Sequence, residues 1–353
     1  MHKATFIEGT LQLTIQPNGP VLVKAGESGG ADPTLPDMEF VRTKFRAAEP
    51  TESDDALPHI KGGVYIPGPS LKGVIRVQCE RICRSLDGPE RYEKAQARAP
   101  DGDFIPPLAD NSLLEDKDYQ EYEKGGNDLK FSSGIYFNRL KSKDTALIYR
   151  RSSFVSQMFG HTSLAGRIRF ADAYGKGVVT EERNGVAIDR VYGSVAVGPF
   201  NYETVVAGSF PTRIDFKNVT LAQLGLLGLA LRDLADGRIG IGFGKSRGLG
   251  RVKVAFDSLT LRYPVCELQD GKLRLLNGMK TIETTKLAGV GAFADRAYSM
   301  PENDLVDLPT NPALAYEDDY ERGIGVTLDA KGDTQVRAIW KACMPAWKRE
   351  LGL

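Results

Sequence analysis

Six glycines, four cations and no acid fall within the fifteen residues from Gly237 to Arg251, G-R-I-G-I-G-F-G-K-S-R-G-L-G-R. Glycine lacks Cβ and tolerates positive φ, so the backbone N–H groups of such a loop can approach an anion closely. Arg238, Lys245, Arg247 and Arg251 supply charge of the sign that neutralises phosphate. Gly242, Gly244, Lys245, Ser246, Arg247, Gly248 and Arg251 are therefore candidate contacts to a polyanion. Gly244-Lys245-Ser246 has the look of a P-loop end, but the first P-loop glycine would fall on Ile239. The loop also follows a helix and precedes a strand, the reverse of a phosphate-gripping helix N-terminus. A loose surface loop is the alternative reading.

A second constellation is Ile66-Pro-Gly-Pro-Ser-Leu-Lys-Gly73, which opens a helix. Ser70 reads as its N-cap, so Ser70 and Lys72 stand beside unpaired first-turn N–H groups suited to a phosphate. Arg76, Arg81 and Arg84 continue the basic face. Ordinary helix capping explains Pro-x-Ser equally well.

Elements of known period must position these residues. Thr10 to Ile15 alternates polar and apolar as a half-buried strand does. Residues 17–63 form a Gly-, Pro- and acid-rich loop. Leu71, Val74, Ile75, Cys79 and Ile82 mark one face of the first helix. From about 87 to 149 the composition shifts, and Asp101 to Asp128 holds nine acids against two lysines, as an insertion would. Gly166 to Ala171 resumes alternation, Arg183 to Ser209 suits a long projecting hairpin, and Phe210 to Phe216 reads as a strand. Thr220 caps a helix lined by Leu221, Leu224, Leu227, Leu231 and Leu234, with Gly237 at its left-handed C-terminus. Arg251 to Leu261 completes the set. The order is βαββαβ, an α+β, ferredoxin-like (RRM-like) core with a projecting β-hairpin thumb. The core spans residues 1–262. Residues 263–353 form a C-terminal extension with no evident core role, ending in an amphipathic helix through Val336, Ile339, Trp340, Cys343, Met344 and Trp347. That helix docks either on its own core or on a partner.

Composition sets the outer limits. The 353 residues carry a formal net charge of zero, with 41% hydrophobic and 26% charged residues, so a nucleic-acid site must be a local patch. No apolar run approaches the ~20 residues that span a bilayer, and residues 1–6 lack the apolar segment of a signal peptide. The expectation is a cytoplasmic protein without membrane contact. Cys79 and Cys83 lack the partners of a zinc site and read as core residues.

The two constellations together resemble the RAMP (repeat-associated mysterious protein) superfamily of CRISPR proteins. Further marks lie between them: Met158-Phe159-Gly160, the strand Gly166 to Ala173, Val186-Ala-Ile-Asp-Arg190 and Tyr202-Glu203-Thr-Val-Val-Ala-Gly208. The combination is similar to the repeated backbone subunit of type III effector complexes, over roughly residues 8–262. The resemblance implies contact with guide RNA, target RNA and other effector subunits, through Ser70, Lys72, Arg76 and the glycine loop. In that family, cleavage of target RNA depends on an aspartate in the loop after the first strand. The matching segment is Pro36-Asp37-Met38-Glu39-Phe40-Val41-Arg42, which puts Asp37 in the catalytic position. Asp32, Glu39 and His59 stand nearby in sequence, and a divalent metal, Mg²⁺, is the implied cofactor. The hairpin, with Val191, Tyr192, Val197 and Phe200, would insert where a base is displaced, or else pack in the core. A turn-forming carboxylate is the alternative at Asp37. Two further alternatives are a guide-RNA-binding scaffold that does not cleave and a repeat-processing endoribonuclease of the same superfamily. For the latter, His2, His59 and His161 form no obvious constellation, and His161 reads as structural.

Overall fold

The computed structural model describes residues 4–25, 36–43, 63–98, 104–113, 115, 117, 131–278, 280–294, 298–319 and 324–352. Its organising element is β1, Glu8–Pro17, longer than the expected strand at both ends. Leu11, Leu13 and Ile15 point into the core on the period of two that a half-buried strand requires. β2 is the short strand Tyr65–Ile66.

Helix α1, Gly68–Leu86, buries Leu71, Ile75, Cys79 and Cys83 at four-residue spacing. Both thiols are fully buried, which pushes their pKa values up. Helices α2 (Pro89–Arg98), α3 (Ser133–Leu140) and α4 (Thr145–Arg150) lie in the expected insertion. Its acidic centre, residues 118–130, falls outside the described residues. Helix α5 (Phe154–Phe159) leads to β3 (Ile168–Phe170) and β4 (Ala173–Tyr174).

The hairpin differs from expectation. Its arms are β5, Lys176–Ile188, and β6, Val195–Lys217, so the strand expected at Phe210 to Phe216 is the far end of the hairpin's own second arm. Gly208, at φ +119°, bends this strand without ending it. Helix α6, Leu221–Ala235, follows. Thr220 Oγ1 accepts from Gln223 N and the Gln223 side chain accepts from Thr220 N, a complete capping box. Gly237 takes φ +70° just past the helix end. β7, Val252–Tyr263, closes the series.

β1 pairs antiparallel with β6 on one side and β7 on the other, and β3 pairs antiparallel with β6. The strand order is thus β7-β1-β6-β3. α1 and α6 pack against each other and against β3 and β7, forming a helical layer on the sheet.

The chain beyond Tyr263 contributes to that same sheet. After the strands β8 (Cys266–Gln269), β9 (Lys272–Leu275), β10 (Thr281–Glu283), β11 (Lys286–Ala288), β12 (Leu305–Asp307) and β13 (Tyr316–Asp318), β14 (Val326–Lys331) pairs with β7 and carries β13 at its edge. Helix α7, Gly332–Glu350, buries Val336, Ile339, Trp340, Cys343 and Trp347. It docks on its own core, the first of the two expectations: Trp340 meets Phe256 edge-on at 4.6 Å. Gly228 of α6 makes room, since a Cβ there would lie 2.4 Å from Trp340 Cγ. A core role for the tail was illegible because residues 264–325 offer only short strands without strong periodicity.

Candidate nucleic-acid interface

The glycine loop seats on the segment that follows β1. Phe243 N donates to Leu22 O (2.7 Å) and Gly250 N to Pro20 O (2.8 Å). Within the loop, Ile241 N donates to Gly250 O (2.9 Å) and Leu249 N to Gly244 O (3.2 Å), and Lys245–Arg247 makes one 3-10 turn. Most of the glycines serve this folding and not an open approach to a ligand. A Cβ on Gly242 would lie 2.1 Å from Leu22 O, and one on Gly250 2.2 Å from Ile241 O. Gly244, at φ +69°, is crowded by Leu249. Gly248, at φ +84°, has open space around it.

The loop and α1 together enclose a groove of ≈ 810 Å³. Ser70, Gly73, Val77 and Arg81 line it from α1, at the spacing of one helical face. Gly242, Lys245, Ser246, Gly248 and Arg251 line it from the loop, with Arg238 beside them. No carboxylate among the described residues lines this groove. Lys245 is held below the ordinary lysine pKa by burial and, secondarily, by the charge of Arg81. Arg238 is partly neutralised by the buried Asp233 carboxylate at 3.5 Å.

The three contacts expected on α1 take different places. Ser70 is not the N-cap: the helix begins at Gly68 with Pro67 as cap, and Ser70 sits inside the first turn. Asp172 Oδ1 accepts the Gly68 N–H at 2.7 Å, so the chain itself satisfies that donor. Lys72 and Arg76 lie on another helical face. Lys72 Nζ stands 3.4 Å from where a Gly166 Cβ would be, and burial first, then Arg76, lowers its pKa. Arg76 donates to Glu80 Oε1 (3.0 Å), Gly160 O (3.1 Å) and Ser156 Oγ (3.3 Å). Arg81, by contrast, enters the groove, and its spacing of eleven from Ser70, three helical turns, was the signal that could have singled it out.

Arg247 leaves the groove and reaches the hairpin. Its guanidinium lies 5.7 Å from the Phe200 ring and 6.0 Å from the Phe243 ring, and Lys24 covers Phe243 at 5.0 Å. Next to Phe200, Asn201 N donates to Asp37 Oδ2 at 2.9 Å. A path of contacts thus runs from the groove through Arg247 and the middle of the hairpin to Asp37, whose side chain is exposed. At the hairpin tip Val191 and Tyr192 are 80% and 84% exposed, so they project and do not pack in the core. Asp189 Oδ1 accepts from Tyr192 N and Val191 N, shaping the turn and lowering its own pKa. The Val197 side chain, Asp32 and His59 lie outside the described residues. His161 is structural: Nε2 lies 2.9 Å from Ser152 Oγ, its ring stacks on Phe137, and burial lowers its pKa.

Sheet, hairpin and groove define an α+β protein with a cationic groove between α1 and the glycine loop. The chain belongs to the RAMP superfamily, whose family model matches residues 14–253; the superfamily is associated with CRISPR complexes and includes some nucleases. No curated protein matches the chain. No helix among the described residues is long and apolar enough to cross a membrane.

Proposed function

We propose that this chain is a backbone subunit of a type III CRISPR effector that holds guide RNA by its phosphates and cuts complementary target RNA at Asp37. The observation that carries this reading is the groove in which α1 and the glycine loop set Arg81, Lys245 and Arg251 together with no carboxylate from the described residues. Such a surface grips phosphate and sugar, while guide base pairing reads sequence. The order β7-β1-β6-β3, with α1 between β1 and β3 along the chain and α6 between β6 and β7, supports the ferredoxin-like, RRM-like core. The natural partners are guide RNA, target RNA and neighbouring effector subunits, in the cytoplasm.

RNA can cleave itself when its 2′-hydroxyl attacks the adjacent phosphate in line, forming a 2′,3′-cyclic phosphate as the P–O5′ bond breaks and the 5′-oxygen takes a proton from water. The protein's main task is therefore to fix that geometry. The projecting ribbon, with Val191 and Tyr192 at its tip, suits the displacement of one base. Asp37 keeps Oδ2 on Asn201 N and offers Oδ1 to take the hydroxyl proton. Among the described residues no cluster of three or more His, Cys, Asp or Glu could hold a metal. A lone carboxylate still fits Mg²⁺, which is commonly bound by one or two carboxylates plus substrate phosphates. With its free oxygen given to the ion in place of the hydroxyl proton, Asp37 would be the protein ligand, and the ion would neutralise charge developing on the phosphate.

Asp37→Asn keeps the acceptor for Asn201 N and removes the base. In a reconstituted effector with labelled complementary RNA and Mg²⁺, cleavage should fall at least about 100-fold with target binding retained. Unchanged cutting would overturn the assignment of Asp37, whereas absence of cutting by the wild-type effector would leave the second reading, a non-cleaving scaffold, which the structural bond between Asp37 and Asn201 also accommodates.

A further inference from the structure

The segment that carries Asp37 is held against β6 by a short series of main-chain bonds. Met38 N donates to Asn201 O (3.2 Å) and Glu203 N to Met38 O (2.9 Å). On its other side, Val41 N donates to Val23 O (2.8 Å) and Ala25 N to Glu39 O (3.1 Å). One side chain adds to this. Glu203 Oε2 accepts the Phe40 N–H at 3.2 Å and its Oε1 pairs with the Arg42 guanidinium. The Glu203 side chain is only 12% exposed, so both oxygens are committed to the Asp37 segment.

That placement carries an electrostatic cost. Glu203 stands directly across the ribbon from Glu182, and opposed like charges destabilise a strand pair. Arg42 and the Phe40 N–H offset the cost through charge-assisted bonds, which are the stronger kind. Asn201, which orients the Asp37 carboxylate, is two residues from Glu203 on the same strand. The position of Asp37 relative to the hairpin is therefore governed at two points of one strand.

We propose that Glu203 is a positioning residue for Asp37, fixing the carboxylate against the middle of the hairpin so that the scissile phosphate is met in line. Glu203 touches no reacting atom. It acts through Phe40 and Arg42, and the proposal rests on the reading that Asp37 cleaves RNA. Misplacement of a reacting group by about 1 Å costs about 100-fold in rate.

The test uses the reconstituted effector with bound guide, single-turnover cleavage of labelled target, target affinity, and hydrogen exchange at the Phe40 amide. Glu203→Ala should lower the cleavage rate about 100-fold, leave target affinity within about twofold of wild type, and expose the Phe40 amide to exchange. Glu203→Gln, whose carbonyl still accepts from Phe40, should recover most of the rate and the protection. Arg42→Met, which removes the ion pair, should resemble Glu203→Gln. Asp37→Asn serves as the reference. If Asp37→Asn cleaves like wild type, the reading of Asp37 fails. If Asp37→Asn is inactive while Glu203→Ala cleaves at the wild-type rate, the positioning role alone is overturned. Should Glu203→Ala not fold, Glu203→Met, which keeps the bulk of the side chain and removes the acceptor for Phe40 N, takes its place, and a wild-type rate there overturns the proposal equally.

Discussion

Lys245, Arg247 and Arg251 come from one loop but do different work. Lys245 and Arg251 face the groove, whereas Arg247 lies over Phe200 and ties the loop to the hairpin. Replacing all three by Ala in the assembled effector should weaken guide binding and reduce the slope of log affinity against log salt by about 1.4, for the two groove cations on a single strand. Filter binding between low and physiological salt measures this, and an unchanged slope would separate the loop from the RNA. At this scale the sequence was informative about residue type and less so about direction. Lys72, Arg76 and Arg81 look equivalent in sequence, yet only Arg81 lines the groove, because the helix turns about 100° per residue and the neighbouring α5 claims Arg76.

At the scale of elements, the N-terminus of α6 depends on a residue more than eighty positions away. Asp304 accepts from Leu221 N and Gly291 N at 3.0 Å each, and is buried. Burial outweighs those bonds and raises its pKa to about 7. The folded chain therefore binds this proton more tightly than the unfolded chain, whose carboxyl titrates near 3.8. The contribution of Asp304 to stability is accordingly greatest below about pH 4 and is lost as pH rises through about 7. Denaturant melts at pH 4.5, 5.5 and 7 should show this loss in wild type, and Asp304→Asn should flatten that part of the profile. The capping box Thr220–Gln223 was readable from spacing, since its partners are three residues apart. The Asp304 bond was not, since no local pattern couples residues 221 and 304.

For the whole molecule, the C-terminal ninety residues complete the sheet and its helical layer. β14 hydrogen-bonds along β7, and α7 sets Trp340 against Phe256 and Gly228. A chain ending at residue 263 would expose the β7 edge and the apolar faces of α6 and Phe256, so it should aggregate or lose its cooperative transition, as circular dichroism and calorimetric melting would show. A soluble, cooperatively melting 1–263 fragment would contradict this. Local pattern was enough for the alternation of β1, the leucine face and cap of α6, the amphipathic α7 and the cation-bearing glycine loop. Periodicity and capping act over a few residues, so they can be read without knowledge of the fold. Which cations share a groove, and that most loop glycines serve close backbone packing, emerged from the folded chain alone. So did the place of Asp37 beside Asn201, midway along the hairpin. Those outcomes depend on contacts between residues far apart in the chain, where packing and backbone hydrogen bonds choose among directions that a linear pattern leaves equal.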